Sequence, residues 1–189
     1  MGSETADSDL VARLRRHQEG AFDELFRRHR DRVWRFVRQL CGRTDVAEDV
    51  FQETWLAAAR HVHKLHEDTG FLPWLLTIAR NKYRNAMRAM VFDERRREKV
   101  SAEPLHPMPA PDAQTDVRRR AARVAAALAT LPEAYREILL LTAVDGLDSA
   151  SIGVILELKP EAVRKRLSRA RAELLRLTGP LDPDQERSP

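Results

Sequence analysis

The chain has 189 residues, of which 43% are hydrophobic and 33% charged, with a net charge of +4. That length holds one domain or two small ones, and the apolar share is enough for packed cores. Cys41 is the sole cysteine, which excludes an intrachain disulfide and points to a reducing, cytoplasmic setting; the polar start MGSETADSDL is no signal peptide, and no apolar run is long enough for membrane insertion.

With only seven glycines and many charged residues, mostly helical structure is expected. Ser8 or Asp9 can cap a short first helix, LVARLRRH, which ends near Gly20. A second helix from about Ala21 to Leu40 has an apolar face of Phe22, Phe26, Val33, Phe36, Val37 and Leu40, with Leu25 beside it, and Cys41-Gly42 closes it. The third begins near Thr44 with Asp45, Glu48 and Asp49 early in its sequence, where the helix dipole favours carboxylates, and runs to about Leu65. His66 to Gly70 form a loop, and helix resumes around Pro73-Trp74 with Leu75, Ile78 and Ala79 apolar. Its other face carries Arg80, Asn81, Arg84, Asn85 and Arg88, a mixture that can contact phosphates and base edges. Trp74, at the mouth of that helix, could stack on an unpaired base, although tryptophans such as Trp34, Trp55 and Trp74 more often fill cores.

Residues 93–116 change character: a charge cluster, DERRREKV, precedes Pro104, Pro107, Pro109 and Pro111. This reads as an extended linker and places the domain boundary there. Helix returns from about Asp116, a short helix follows Leu131-Pro132, and Asp145-Gly146 ends it. Next comes LDSASIGVILELKPEAVRKRLSRARAELLRL, which reads as two helices joined by a turn. Asp148 and Ser149 are capping types, Ile152, Ile155 and Leu156 give an apolar stripe, and Pro160 suits a first helical position. In the second of these helices Val163, Leu167, Ala170, Leu174 and Leu177 share a narrow face. Seven Lys/Arg against two Glu between 159 and 177 leave the opposite side basic. A helix-turn-helix needs such a division, with an apolar side docked and a cationic, hydrogen-bonding side free for a major groove; a solvated amphipathic helix would look similar.

Catalytic signatures are missing: there is no GxGxxG, Walker loop, nucleophile elbow or HExxH. His61, His63 and His66, with Cys41, are the nearest approach to a metal set, but His61 and His63 diverge on a helix. No catalytic residue, metal or cofactor is expected.

Four segments together resemble the extracytoplasmic-function group of bacterial sigma factors, small two-domain members of the sigma-70 family. They are AFDELFRRHRDRVWRFVRQL, DVAEDVFQETWLAAARHVHKL, FLPWLLTIARNKYRNAMRA and LPEAYREILLLTAVDGLDSASIGVILELKPEAVRKRLSRARAELL, in the family's order. The resemblance implies an all-α fold of two small helical domains, an N-terminal helical bundle and a C-terminal helix-turn-helix bundle, on a flexible Pro-rich linker. Residues 8–92 would bind core RNA polymerase and engage the promoter's −10 element, 93–116 would link, and 117–178 would read the −35 element. Asp49, Gln52, Glu53 and Trp55 match positions that grip the coiled coil of the polymerase's largest subunit. Arg80, Asn81, Arg84, Asn85 and Arg88, with Trp74, match −10 contacts. The loop His66, Glu67, Asp68, Thr69, Gly70 and Phe71 matches one that captures a flipped base. Glu161, Arg164, Lys165, Ser168, Arg169 and Arg171 match the helix that reads the −35 element. The implied partners are core RNA polymerase, promoter DNA and, by analogy, an anti-sigma factor.

Three positions depart from the family's helix-turn-helix. Glu157 stands where Gly is usual, Lys159 where Ser or Thr caps the reading helix, and Gly153 where Ala is usual, at roughly 1 kcal/mol of helix propensity. A strained or re-aimed turn is expected. The competing function is a stand-alone helix-turn-helix regulator whose N-terminal half dimerises or senses. Such a module has no need of the acidic DVAEDVFQETW surface followed by an Arg/Asn helix, whereas a polymerase-docking domain does.

Overall fold

The breaks between helices fall at glycine, proline and short polar stretches, and the apolar spacing between breaks is helical. The computed structural model describes the backbone of residues 2–66, 69–97 and 116–179 and the side chains of 7–66, 69–92 and 120–179. In order the helices are α1 (Gly2–Arg15), α2 (Ala21–Cys41), α3 (Thr44–His61), α4 (Phe71–Arg97), α5 (Asp116–Thr130), α6 (Glu133–Thr142), α7 (Ser149–Leu156) and α8 (Pro160–Thr178). A 3-10 turn, Val62–Lys64, prolongs α3. Every regular element among the described residues is helical, which agrees with the all-α expectation.

Several boundaries differ from the sequence reading, each for a local reason. The first helix starts at Gly2, so Ser8 and Asp9 lie inside it rather than at a cap. Helix α4 starts at Phe71, ahead of Pro73, because a first-turn residue has no intrahelical acceptor and a missing N–H costs nothing there. The same helix runs on to Arg97, so residues 93–97 of the expected linker are helical, and 98–115 lie outside the described residues. Gly42 ends α2 with φ 72°, its N–H donating to the Arg38 carbonyl, as its sequence position suggested.

Helices α1 to α4 form the first bundle around an aromatic centre. Trp55 meets Phe26 edge-on at 4.8 Å and Phe22 at 5.9 Å between ring centroids, with Phe51 and Phe71 also against it. Leu25, Val33, Val37, Leu75, Leu76 and Ala79 complete that interior. Helices α5 to α8 form the second, with Ile138, Leu141, Ile152, Ile155, Val163 and Ala170 buried. The two bundles share a seam, where α4 packs on α7 and α2 on α6, and one continuous buried cluster runs through both.

Polar ties position α1. Arg15 donates to the Leu65 carbonyl. The Asp7 carboxylate holds buried His29 through a 2.7 Å contact between Oδ2 and Nε2, and accepts from Arg28 at 3.2 Å. Burial of Asp7 opposes its ionisation, but the hydrogen bond to His29 and the pull of Arg28 outweigh that and hold its carboxyl below the usual range. Asp7→Asn is therefore expected to cost about 1–3 kcal/mol of stability at neutral pH. The folded-state pKa is depressed, so the carboxylate's contribution is complete above its unfolded value of about 3.9 and is lost as pH falls through the lower folded value. Urea denaturation at neutral pH and in acid should show the wild-type advantage over Asp7→Asn shrinking on acidification.

Candidate nucleic-acid interface

The helix-turn-helix is built from α7 and α8. Asp148 caps α7, its Oδ1 accepting from the Ser151 N–H at 2.7 Å, and that bond lowers its carboxyl's pKa. Glu157 follows the last turn of α7 in the left-handed region, at φ 57° and ψ 44°. There the Leu158 N–H donates to the Gly153 carbonyl at 2.8 Å. The same tight return brings the Leu158 carbonyl oxygen over Gly153, where a Cβ would meet it at 2.6 Å. The two departures are thus one device: Glu157 turns the chain without a glycine's freedom, and Gly153 makes room for the return. The expected strain is at Glu157, and Lys159 precedes α8 with no side-chain cap.

From that turn α8 projects with Val163 and Ala170 buried beneath it. Glu161, Arg164, Lys165, Ser168, Arg169 and Arg171 are all exposed on its outer side. Leu177, expected on the apolar face, is 39% exposed, because α5 meets the end of α8 at Thr178, whose carbonyl accepts from Arg123.

On α3, Asp49, Gln52 and Glu53 are exposed in one row, Glu53 tied to Lys82 of α4 at 2.7 Å. The Lys82 ammonium holds the Glu53 carboxyl below the usual range. Trp55 does not join them on the surface. It is 6% exposed and occupies the aromatic centre, because its position on α3 faces α2 and α4. Phe71 is likewise buried, in tilted contact with the rings of His29, Trp55 and Trp74. Of the loop before it, His66 and Gly70 are exposed and Thr69 is half-buried, while Glu67 and Asp68 lie outside the described residues. Trp74 is half-buried.

The Arg/Asn face of α4 is divided. Asn81, Arg84, Asn85 and Arg88 are exposed, but Arg80 is only 5% exposed. Its Nε donates to Oε1 of Glu137 on α6 at 3.1 Å, and its Nη1 donates to the Ile155 carbonyl of α7 at 3.4 Å. Alongside, Nη2 of Arg136 donates to the Tyr83 hydroxyl at 3.0 Å, and Nε of Arg84 donates to Glu133 at 3.4 Å. Burial pushes the Tyr83 phenol's pKa up against the pull of Arg136. Sequence reasoning did not single out Glu133, Arg136 or Glu137. The available signal was Glu137 itself, a carboxylate set among Ile138, Leu140 and Leu141 on a helix otherwise apolar on that side.

Two family models match the chain: Sigma-70 region 2 over residues 25–90, and Sigma-70 region 4 over residues 121–174. The RNA polymerase sigma factor CarQ of Myxococcus xanthus is 32% identical over 173 residues, covering 91% of this chain and 97% of that protein. The ECF RNA polymerase sigma factor SigM of Mycobacterium tuberculosis is 31% identical over 183 residues, covering 95% and 88%. The chain belongs to the extracytoplasmic-function sigma factors of the sigma-70 family. A solved structure of CnrH in complex with the cytosolic domain of CnrY shares the fold, with a TM-score of 0.69 at 28% identity over 91% of this chain and 96% of that one. This sigma factor therefore binds core RNA polymerase and promoter DNA and directs transcription initiation, and a stand-alone regulator would not account for the region 2 match. No helix among its described residues is long and apolar enough to cross a membrane.

The turn of its helix-turn-helix can be tested directly. Glu157→Gly should raise stability by about 0.5–1 kcal/mol by relieving left-handed strain. Gly153→Ala should lower it despite alanine's better helix propensity, since the added methyl meets backbone. Thermal melts of the two variants against wild type read both signs.

Proposed function

We propose that this sigma factor divides its work between residues 8–92, which dock on core polymerase and engage and open the −10 element, and residues 117–178, which read the −35 element, with 93–116 linking them. The outward row on α8 carries this reading. Glu161, Arg164, Lys165, Ser168, Arg169 and Arg171 are exposed opposite the buried Val163 and Ala170, as major-groove entry demands. Arginine and lysine there suit guanine edges and phosphates, and Glu161 suits a cytosine amino group.

On the first bundle, Asp49, Gln52 and Glu53 form the polymerase-facing row. Trp55 acts from behind, holding α3 against α2 and α4 so that the row keeps its aim. The loop 66–71 and Trp74 receive an unstacked base, and Arg80, Asn81, Arg84, Asn85 and Arg88 take the backbone and bases of the −10 element. Opening DNA without ATP draws its energy from binding: unstacking a base costs a few kcal/mol, which stacking on an aromatic and a fitted pocket can offset. Holding the two bundles on one polymerase raises the effective concentration of each for its half of the promoter. The protein works in the cytoplasm, by binding alone and without a catalytic step of its own. An anti-sigma factor is its regulatory partner, a reading supported by the likeness to CnrH, whose solved structure is a complex with the cytosolic domain of CnrY.

Asp49→Arg combined with Glu53→Arg is expected to abolish binding to core polymerase while leaving helical content unchanged; normal retention of core polymerase in a pull-down would defeat the docking assignment. Arg169→Ala should weaken −35-dependent binding by about 1–3 kcal/mol more than nonspecific binding. An equal loss on all duplexes, measured by titration at fixed salt, would reduce Arg169 to a phosphate contact.

A further inference from the structure

Helix α1 is tied to both ends of the loop that joins the 3-10 turn to α4. It packs against the turn on one side of that loop and against α4 on the other. At its C-terminus Arg15 donates to the carbonyl of Leu65, the residue from which the chain enters the loop. Two turns earlier, buried Asp7 holds His29, and the His29 ring lies 5.4 Å from that of Phe71, the first residue of α4. Phe71 in turn meets the Trp74 ring at 5.8 Å. A line of contacts therefore runs from the Asp7 carboxylate through an imidazole and a phenyl ring to the indole proposed to receive a base.

Buried Leu10 and Val11 already dock α1 on the bundle by apolar contact. The two polar ties add direction to that attachment. Leu65 is extended, with ψ 120°, and its rigid peptide plane sets the line along which the chain leaves the turn. Holding its carbonyl oxygen holds that plane. At the other end, the His29 ring set by Asp7 fixes the side of Phe71 away from Trp74, so Trp74 is presented at a defined angle. A receiver fixed at both ends in advance loses less freedom when it takes a base, and that saving appears as base-specific affinity. We propose that Arg15 and Asp7 are positioning residues for base capture: α1 is a brace that spaces Leu65 from Phe71 and aims Thr69, Gly70, Phe71 and Trp74 at the unstacked nucleotide. This rests on the reading of loop 66–71 and Trp74 as the base receiver.

The holoenzyme formed with core polymerase provides the test. The probe is a short single strand selected from a random library by the wild-type holoenzyme, with each nucleotide replaced in turn by an abasic one. In the wild type one abasic position should weaken binding by about fivefold or more, the loss of a base stacked on an aromatic ring. Arg15→Gln should reduce that penalty to about twofold or less, with the other positions and binding to core polymerase unchanged. Arg15→Lys, which can still donate to the Leu65 carbonyl, should restore most of it. Asp7→Ala should reduce the penalty at the same nucleotide through the other tie. Leu40→Val, a core change at the far end of α2, controls for lost stability and should leave the penalty intact. A penalty unchanged in Arg15→Gln would overturn the brace, as would a lysine no better than glutamine. Equal losses at every position, lost core binding, or the same effect in Leu40→Val would reduce α1 to a stabiliser of the bundle and overturn it too. An unchanged penalty in Asp7→Ala would overturn the part given to Asp7 and His29. If the wild type shows no such position, the base-receiver reading itself fails, whereas a wild-type penalty that survives in the variants defeats only the brace.

Discussion

A buried guanidinium must find an anion, and the Arg80–Glu137 pair meets that requirement across the seam of this molecule. Desolvating either charge alone would cost several kcal/mol, so each fixes where the other must be. The consequence is geometric. Helix α6 has to lie antiparallel along α4 for the pair to form, and with α6 so placed, α7 falls against α4 with the Ile155 carbonyl within reach of the same arginine. The relative placement of the two bundles follows from one charge that cannot be left alone.

The first bundle depends on a different force. Trp55 gathers Phe22, Phe26 and Phe51 in edge-on contacts and Phe71 in a tilted one, drawing rings from three helices together. The exposed row Asp49, Gln52 and Glu53, proposed to face polymerase, sits on the back of the same helix. An acidic stripe on a rigid helix can meet a partner's helices without rearrangement, and the Lys82–Glu53 tie adds a second restraint on α3. In the second bundle the corresponding economy is at the turn, where Glu157 in the left-handed region and Gly153 four residues before it together give the tight return into α8.

Exposure separates the two surfaces proposed to face DNA. On α8 every candidate side chain is open to solvent, so duplex DNA could be approached without any change in the chain. On α4, Arg80 is sealed and Arg84 is engaged, so the surface proposed to act on opened DNA is incomplete in this arrangement.

The sequence alone determined the helices, since apolar spacing and glycine or proline stops are local properties: Gly42 closes α2, Asp148 caps α7, and Val163 and Ala170 face inward as their spacing required. It also determined the family, because four motifs in a fixed order are a one-dimensional pattern, and the exposed row on α8, because a helix buried on one side must present the other. It did not reveal that Trp55 and Phe71 are buried, since motif position does not say which way a side chain points. Tertiary structure alone decided that Arg80 is paired with Glu137. Those residues are 57 positions apart, and no periodicity or motif links charges on two helices until packing removes the water between them.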